Sequence, residues 1–481
     1  MNANEFAFNI TNAKGNVVAT AQNPAAGDGQ AATLDFGTLN YSIDQVKQDV
    51  ESGVAQIGSA ANTYVYRYTV SEDTAHLPTK VTPVQNAFEV TVVVTDSGDG
   101  TLRTQVKYPG DATSLAFQNV YDADDARLVI SGSKMLETNG FSGPGDIKDK
   151  FTFELKDASG KVIDTATNDA SGSVTFDEIT YTAPGEYTYT ITESGTVDGV
   201  TNDTATKTVK VKVTDEGGYL VAETVDENDN PVEGANFTFT NSYSATSTTA
   251  AIEVAKNLSV PSGLTGPGDI AGKYTFTLAA ETADAPMPES TTVTSVDGNG
   301  TPASFDDITF TKPGIYNYRI TESGSVDGVT NDAEAATGKL VMVTVVDNGN
   351  GTMTATTSGK TIFTNTYGAT PATLGGDAAH RVTKKVEGHD ASTGFTFVLA
   401  QSSTDANQAS IAAGGSSVTT GALADGAEQT LKFGDVTFSA PGTYNFTITE
   451  QGESGQGWTY DTTPRNVAVT VVDNGNGQLE A

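Results

Sequence analysis

The sequence predicts an all-β protein made of four tandem β-sandwich domains. Three observations support this fold class. Most segments alternate apolar and polar residues with a period of two and are rich in Val, Thr, Tyr and Phe, which is typical of half-buried strands. Gly, Pro, Asn and Asp turn signals separate these segments at short intervals, as in β-sandwiches. One phrase recurs at a spacing of one domain, as YRYTVSE, YTYTITE, YNYRITE and YNFTITE, ending at Glu72, Glu193, Glu322 and Glu450.

Each repeat carries further markers in a constant order. A Pro-Gly turn precedes the glutamate strand in three repeats. A β-branched run that ends in an Asp, Asn and Gly turn follows it, which is the pattern of a strand entering a hairpin. The last marker is an F-x-N-x-Y phrase, present three times. We therefore predict four β-sandwich repeats, which comprise residues 1–125, 126–246, 247–370 and 371–481.

The two outer repeats differ from the inner ones. Apolar residues recur at steps of three and four over 41–57, so we predict a short inserted helix whose apolar stripe packs on the first repeat. Residues 5–22 align with 152–168, so the first repeat lacks an opening strand. The fourth repeat stops before an F-x-N-x-Y strand. We interpret the chain as a piece of a longer protein, with short linkers that arrange its domains as an extended row.

The composition argues against several function classes. Lys and Arg number 26 against 60 Asp and Glu, for a net charge of −34, which disfavours nucleic acids and anionic membranes as partners. Because Cys is absent, disulfides, thiolate metal sites and Cys nucleophiles are excluded. No apolar run is long enough to span a bilayer, and the first ten residues lack the charged and apolar regions of a signal peptide.

Three polar residue types lie on the apolar faces of the predicted strands. Residues two apart in a strand share a face, so each recurring glutamate continues a row of Tyr, Phe, Ile or Val. The same parity points the Asn of F-x-N-x-Y and a Lys of the opening strand inward. The resulting sets are Lys134, Glu193 and Asn241 in the second repeat, Lys256, Glu322 and Asn365 in the third, Glu72 and Asn119 in the first, and Lys384 (preferred over Lys385) and Glu450 in the fourth.

These residue types suit a self-formed Lys–Asn isopeptide bond. Burial lowers the pKa of a lysine, so that its neutral amine can attack. A carboxyl group in an apolar pocket can stay protonated, donate to the Asn carbonyl and carry protons as ammonia leaves. The fold supplies the proximity, and the reaction occurs once per domain. Two alternatives explain these residues without a covalent bond. They can lie at strand ends that reach solvent, or they can form a buried Lys–Glu ion pair with an Asn partner.

Jointly, the K-x-L opening strand, the Y-x-Y-x-I-x-E strand and the F-x-N-x-Y strand resemble the streptococcal pilin isopeptide-linkage domain, the fold of T-antigen-type major pilins. The resemblance covers all four repeats. It implies Ig-like, pilin-type sandwiches in an extracellular, cell-wall-attached protein of a Gram-positive bacterium. It also implies bonds from Lys134 to Asn241 and from Lys256 to Asn365. In each repeat the recurring glutamate takes the catalytic role.

We therefore expect a structural stalk segment of a surface adhesin or pilus-like protein. The alternative is a ligand-binding adhesin module that recognises host or glycan surfaces. A turnover enzyme is disfavoured because the sequence has no Gly-rich phosphate loop, G-x-S-x-G or His-based metal motif. The Asp- and Asn-rich stretches at 226–230, 347–351 and 473–477 are interpreted as hairpin turns and not as calcium loops. We expect no cofactor or metal, host matrix ligands only through other parts of the protein, and a monomer unless a sortase polymerises it.

Overall fold

The computed structural model describes residues 1–27, 29–452 and 457–481 and consists mainly of β-strands. An antiparallel sheet with the same path of five strands occurs four times, and in the first repeat a sixth strand is added to it. This confirms the prediction of tandem β-sandwich domains. The chain divides into two compact units. The first comprises Met1–Met135, Ile147–Thr196 and Asn202–Thr240, and the second comprises Leu136–Asp146, Val197–Thr201 and Asn241–Ala481.

The strands and helices follow one another in chain order. Those of the first repeat are β1 (Ala7–Thr11), β2 (Val17–Gln22), α1 (Ile43–Ser52), β3 (Ala55–Ile57), β4 (Thr63–Glu72), β5 (Val81–Pro83), β6 (Ala87–Asp96), β7 (Leu102–Lys107) and β8 (Asn119–Tyr121). Those of the second repeat are β9 (Ala126–Leu128), β10 (Ser131–Glu137), β11 (Thr152–Lys156), β12 (Val162–Thr167), β13 (Ser173–Thr175), β14 (Ile179–Tyr181), β15 (Gly185–Ser194), β16 (Val200–Thr201), β17 (Lys207–Asp215), β18 (Leu220–Val225) and β19 (Phe237–Tyr243).

The third repeat contains β20 (Thr248–Ala250), β21 (Glu253–Ser259), β22 (Tyr274–Ala280), β23 (Thr292–Thr294), β24 (Asn299–Ser304), β25 (Ile308–Phe310), β26 (Gly314–Gly324), β27 (Val329–Thr330), β28 (Lys339–Asp347), β29 (Met353–Gly359) and β30 (Ile362–Tyr367). The fourth contains β31 (Ala372–Leu374), β32 (Arg381–Lys385), β33 (Thr396–Gln401), β34 (Ser410–Ile411), β35 (Ser417–Thr419), β36 (Glu428–Lys432), β37 (Val436–Phe438), β38 (Gly442–Gln451), β39 (Arg465–Asp473) and β40 (Leu479–Glu480). Short 3₁₀ turns lie at Thr74–His76, Pro109–Asp111 and Gly376–Ala378.

In the first unit, one sheet has the order β2-β1-β4-β6-β7, with β3 as a sixth strand beside β4, and the other has the order β12-β11-β15-β17-β18. The glutamate strand is central in both sheets, because β4 pairs with β1 and β6, and β15 pairs with β11 and β17. A central strand buries its inward residues, which is why this phrase is rich in Tyr and Ile. Opposite the second of these sheets, β10 lies between β13 and β19.

The inserted helix is shorter than the sequence pattern predicts. It covers Ile43–Ser52 and ends at Gly53, whose φ of 77° is left-handed. The last part of the predicted helix is instead the strand β3, which pairs with β4, and Ile57 is exposed. A left-handed residue ends an α-helix, and Gly adopts this conformation without steric cost. The predicted packing is confirmed, because Val46 is buried in a cluster with Tyr66 and other residues of the first repeat.

In the second unit, the third repeat shows the complete sandwich. One sheet has the order β23-β22-β26-β28-β29, and the other has the order β24-β21-β30-β27. The first and last long strands, β21 and β30, are parallel neighbours. A core of buried aromatic and branched residues lies between the sheets, among them Phe276, Tyr318, Ile320 and Phe363. The opening and closing segments of the repeat are therefore held side by side.

The fourth repeat, also in the second unit, has the sheet β35-β33-β38-β39-β40. Its opening strand β32 pairs with β36. This pair corresponds to β21 and β24 of the third repeat, while no counterpart of β30 occurs in the described residues of the fourth repeat. The core contains Phe397, Phe438, Phe446 and Ile448.

The three Asp- and Asn-rich stretches are turns, as predicted. Residues 347–351 connect β28 to β29, and residues 473–477 connect β39 to β40. Residues 226–230 follow β18, and a bridge between Val225 and Pro231 closes that turn. Within the described part of the chain, no helix has the length and apolar character that a bilayer crossing requires.

Candidate isopeptide-bond sites

The third repeat brings all three of its predicted site residues together. Lys256 lies on β21 and Asn365 on the neighbouring strand β30, where the register places Leu258 opposite Asn365. Glu322 comes from β26 of the facing sheet, opposite Phe276. All three residues are buried. The site therefore lies between the two sheets, where the strand alternation directs these side chains inward.

One carboxylate oxygen connects the other two groups. Lys256 Nζ donates to Glu322 Oε1 at 2.6 Å, and Asn365 Nδ2 donates to the same oxygen at 3.0 Å. The side chains of Lys256 and Glu322 are both 0% exposed. The lysine also lies over the ring of Tyr274, with Nζ 4.6 Å from the centroid. Glu322 is thus positioned between the amine and the amide nitrogen.

The carbonyl end of the Asn365 amide has a different partner from the predicted one. The sequence analysis expects the glutamate to donate to this carbonyl. Instead, the backbone N–H of Asp332 donates to Asn365 Oδ1 at 2.7 Å, while Asn331 Oδ1 accepts from Nδ2 at 3.1 Å. Because the loop after β27 occupies the carbonyl side, Glu322 contacts the nitrogen side, and the expected glutamate–carbonyl contact is wrong for this structure.

Burial changes the ionisation of the lysine. The pKa of Lys256 lies below its ordinary value because burial disfavours the charged form, and the hydrogen bond and charge of Glu322 only partly oppose this effect. The Asp332 carboxylate accepts from Lys339 Nζ at 3.0 Å and from the backbone N–H of Thr364 at 2.8 Å. These contacts fix the loop that holds the amide.

In the second repeat, Lys134 and Glu193 form a buried pair. Lys134 Nζ lies 3.3 Å from Glu193 Oε2, and both side chains are 0% exposed. The lysine lies over the Phe151 ring, with Nζ 4.9 Å from the centroid. Burial lowers the pKa of Lys134, with Glu193 opposing. Asn241 lies on β19 and is fully buried.

The outer repeats each contain part of the set. In the first, Asn119 Nδ2 donates to Glu72 Oε1 at 2.7 Å, and burial raises the pKa of Glu72 while this hydrogen bond opposes the shift. In the fourth, Lys384 Nζ donates to Glu450 Oε1 at 2.6 Å. Lys385 points away and pairs with Glu387.

The sequence analysis did not identify a recurring Tyr–Asp contact between consecutive repeats. The Tyr that ends F-x-N-x-Y donates to the Asp that begins the hairpin turn of the following repeat. The pairs are Tyr121 with Asp215 at 2.7 Å, Tyr243 with Asp347 at 2.7 Å and Tyr367 with Asp473 at 2.6 Å. Both residues recur with the repeat markers in the sequence. Their contact could not be predicted from strand patterns, because it joins two repeats and a strand pattern describes only a single repeat.

The family comparison agrees with these repeats. The family model described as "FctA: Spy0128-like isopeptide containing domain" matches residues 1–122, 130–244, 252–368 and 380–481. The chain belongs to this family. Membership of the family supports a surface pilin or adhesin stalk. A comparison with curated proteins gave no match.

The chain is also similar to several solved structures. The T-13 major pilin of Streptococcus pyogenes is 18% identical, with 51% of this chain and 99% of that chain covered and a TM-score of 0.19. Another Streptococcus pyogenes major pilin is 20% identical, with 52% and 99% covered and a TM-score of 0.19. Two B repeat units of the collagen binding protein of Staphylococcus aureus are 15% identical, with 90% and 95% covered and a TM-score of 0.19.

Proposed function

We propose that the chain is a structural stalk segment of an extracellular, cell-wall-attached adhesin or pilus-like protein of a Gram-positive bacterium. In this proposal, self-formed isopeptide bonds from Lys134 to Asn241 and from Lys256 to Asn365 stiffen its domains. The observation that carries the proposal is the buried contact set of Lys256, Glu322 and Asn365. The family match supports it.

The proposed reaction starts with proton transfer from Lys256 to Glu322, which burial of the lysine favours. The neutral amine attacks Cγ of Asn365, and the Asp332 N–H stabilises the negative charge that develops on Oδ1. Glu322, which contacts Nδ2, returns this proton to the leaving nitrogen and then carries to it the second proton that Nζ loses after attack. The Nζ–Cγ bond forms, the Cγ–Nδ2 bond breaks, and the nitrogen departs as ammonium. Glu322 ends unchanged, so each domain reacts once.

The position of the bond explains its use in a stalk. Lys256 and Asn365 lie on the first and last long strands of the repeat, which are parallel neighbours. A force that pulls on the two ends of the repeat would be carried by the covalent bond and would not shear β21 from β30. Resistance to unfolding under tension follows without any disulfide, in a chain that has no Cys.

Intact mass spectrometry of the full chain tests the proposal. We expect a mass below that of the sequence by two ammonia molecules, one for each inner repeat. Glu193→Ala and Glu322→Ala should each restore one ammonia, because each removes the proton carrier of one site. Tryptic digestion should yield one cross-linked product containing Lys256 and Asn365.

The matched control is Glu178→Ala, which removes an exposed carboxylate paired with Arg127 and should leave the mass deficit intact. A wild-type chain with the full mass of its sequence would refute the isopeptide proposal. A deficit that persists in both glutamate variants would refute the assigned role of glutamate.

A further inference from the structure

A four-residue phrase recurs unchanged in the two inner repeats. V-T-N-D occupies residues 200–203 and residues 329–332. In the third repeat its first two residues form β27, which pairs antiparallel with β30. Continuing this pairing by one residue places Asn331 opposite Asn365. The phrase therefore brings polar groups to the amide that the proposed reaction consumes.

Two backbone groups fix the direction in which the Asn365 amide points. The N–H of Asp332 can only donate, so the atom 2.7 Å from it is the carbonyl oxygen of Asn365. The C=O of Gly324 can only accept, so it takes Nδ2 of Asn331 at 3.0 Å. This leaves Asn331 Oδ1 to accept from Asn365 Nδ2 at 3.1 Å. Both ends of this chain of hydrogen bonds therefore give the same orientation.

The reversed orientation of the amide would be unfavourable at both ends. It would place the NH₂ group of Asn365 against the N–H of Asp332 and its oxygen against Asn331 Oδ1. Asn365 is fully buried, where polar groups without a partner are costly. The observed orientation is also the one that directs Nδ2 to Glu322.

The side chain of Asp332 anchors the loop to β30 beside the amide. Its Oδ2 accepts from the backbone N–H of Thr364, the residue before Asn365, at 2.8 Å. The same oxygen lies 3.0 Å from Nζ of the buried Lys339. Its Oδ1 accepts from the backbone N–H of Glu334 at 2.8 Å. Three contacts therefore hold the residue whose N–H engages the carbonyl oxygen.

The same loop is joined to the strand that carries the glutamate. The backbone N–H of Glu322 donates to the carbonyl of Ala335 at 2.8 Å, and the backbone N–H of Ala335 donates to the carbonyl of Asp332 at 2.9 Å. The loop therefore fixes the amide and the glutamate relative to each other.

The anchoring contacts recur in the second repeat. Asn202 Nδ2 donates to the carbonyl of Gly195 at 2.7 Å. Asp203 Oδ2 lies 2.9 Å from Lys207 Nζ and accepts from the backbone N–H of Thr240 at 3.4 Å. The repetition of the phrase is thus accompanied by repetition of the contacts that hold its loop.

The first repeat shows what the glutamate contact achieves without this loop. Asn119 Nδ2 donates to Glu72 Oε1, as Asn365 does to Glu322 in the third repeat. Among the described residues, however, Asn119 Oδ1 is buried without a hydrogen-bond partner. The glutamate engages the nitrogen side of the amide, and the carbonyl side needs a separate donor.

We propose that Asn331 and Asp332 are positioning residues that clamp the Asn365 amide, with its leaving nitrogen toward Glu322 and its carbonyl oxygen toward a backbone N–H. This inference rests on the isopeptide reaction proposed above and assigns how that reaction is oriented. In the clamped amide, Glu322 can pass protons directly to the departing nitrogen. A reversed amide would present its oxygen to the carboxylate and would leave Nδ2 without a proton donor.

The test measures how fast the third repeat forms its bond. The full chain is made by cell-free synthesis, samples are quenched in acid at intervals, and trypsin releases the cross-linked product that contains Lys256 and Asn365. The corresponding product of the second repeat is measured in the same samples as an internal reference. Asn331→Ala should slow the third-repeat product about tenfold, and Asp332→Ala should slow it about a hundredfold. The second-repeat product should keep its wild-type rate.

Further comparisons separate positioning from a loss of stability. Asp332→Asn keeps one side-chain acceptor, so its rate should lie between those of the wild type and Asp332→Ala. Trimethylamine N-oxide favours the folded state, so it should restore a rate that was lost through unfolding and leave unchanged a rate that was lost through misorientation. Hydrogen exchange at β26 and β28 reports whether the third repeat is folded. Asp307→Ala removes an exposed carboxylate of the same repeat and should leave both rates unchanged.

The clamp proposal and the isopeptide proposal fail on different results. If the wild type forms the third-repeat product, and Asn331→Ala and Asp332→Ala form it equally fast, the clamp proposal fails and the isopeptide proposal stands. Recovery of the variant rates in trimethylamine N-oxide would also overturn the clamp proposal, because the two residues would then act through stability alone. If the wild type forms no cross-linked product in the third repeat, both proposals fail.

Discussion

At the scale of single residues, the arrangement around Asn365 separates two tasks. The backbone N–H of Asp332 holds the carbonyl oxygen, and the carboxylate of Glu322 receives hydrogen bonds from both the lysine and the amide nitrogen. A backbone donor is available at every pH and needs no side-chain reorganisation, which favours stabilisation of a developing oxyanion. The glutamate is thereby free to move protons between the attacking and the leaving nitrogen.

Glu322→Gln is expected to block bond formation, because glutamine retains the shape of the side chain and loses its capacity to accept the lysine proton. The bond from Lys256 to Asn365 closes a loop of roughly 110 residues, for which the cross-link entropy model gives about 4.7 kcal/mol of stability. Native-state hydrogen exchange at β30 should therefore report an unfolding free energy lower by about this amount. Glu281→Gln, which removes an exposed partner of Arg319, is the control and should change it little.

At the scale of elements, period-two alternation was sufficient to place Lys256, Glu322 and Asn365 on inward faces, and all three are buried. The same rule could not predict the contacts of the loop at 331–332, because loop conformation does not follow from strand periodicity.

The helical pattern over 41–57 predicted a helix that is too long at its C-terminal end, because apolar spacing alone does not report where the backbone leaves the helical conformation. Apolar spacing continued past Gly53, but its left-handed backbone ended the helix and allowed Ala55–Ile57 to pair with β4.

Gly53→Ala tests this account of the helix end. Alanine at a φ of 77° costs about 1 kcal/mol relative to glycine. We expect faster hydrogen exchange in the last turn of α1 and at β3, with little change elsewhere. Glu51→Ala, an exposed position of the same helix, is the matched variant and should leave exchange at β3 unchanged. Equal exchange in the wild type and Gly53→Ala would contradict the assigned role of Gly53.

At the scale of the whole molecule, the Tyr–Asp contacts link each repeat to the next one in sequence. In the second unit, the hydroxyl of Tyr243 donates to Asp347 and accepts from the backbone N–H of Gly351. Gly351 also approaches Gly199 so closely that a Cβ on Gly351 would lie 2.8 Å from the Gly199 Cα. Glycine at position 351 therefore permits the close approach to Gly199. The Asp of the hairpin turn and the Tyr of F-x-N-x-Y recur together because they form the junction between consecutive repeats.

The junction between the second and third repeats should depend on pH through Asp347. Burial opposes ionisation of this carboxylate, but hydrogen bonds from Tyr243 and from backbone N–H groups hold its pKa below the usual 3.8. A lowered folded-state pKa means that the carboxylate contributes its stability above pH 3.8 and that this contribution is lost as the pH falls through the lower, folded value. The protection of the Gly143 and Gly351 amides against hydrogen exchange, relative to the rate of an unstructured chain at the same pH, should fall in that acidic window.

Tyr243→Phe should weaken the junction at neutral pH by about 1.5–3 kcal/mol, the usual contribution of a hydrogen bond to a charged group. The variant should also show a smaller change of protection with pH. Asp96→Asn alters the same hairpin position in the first repeat, where the carboxylate accepts from Gly98, and should leave exchange at Gly351 unchanged. If the protection of the wild-type Gly351 amide does not change across this pH window, Asp347 is excluded as the pH-dependent group of the junction.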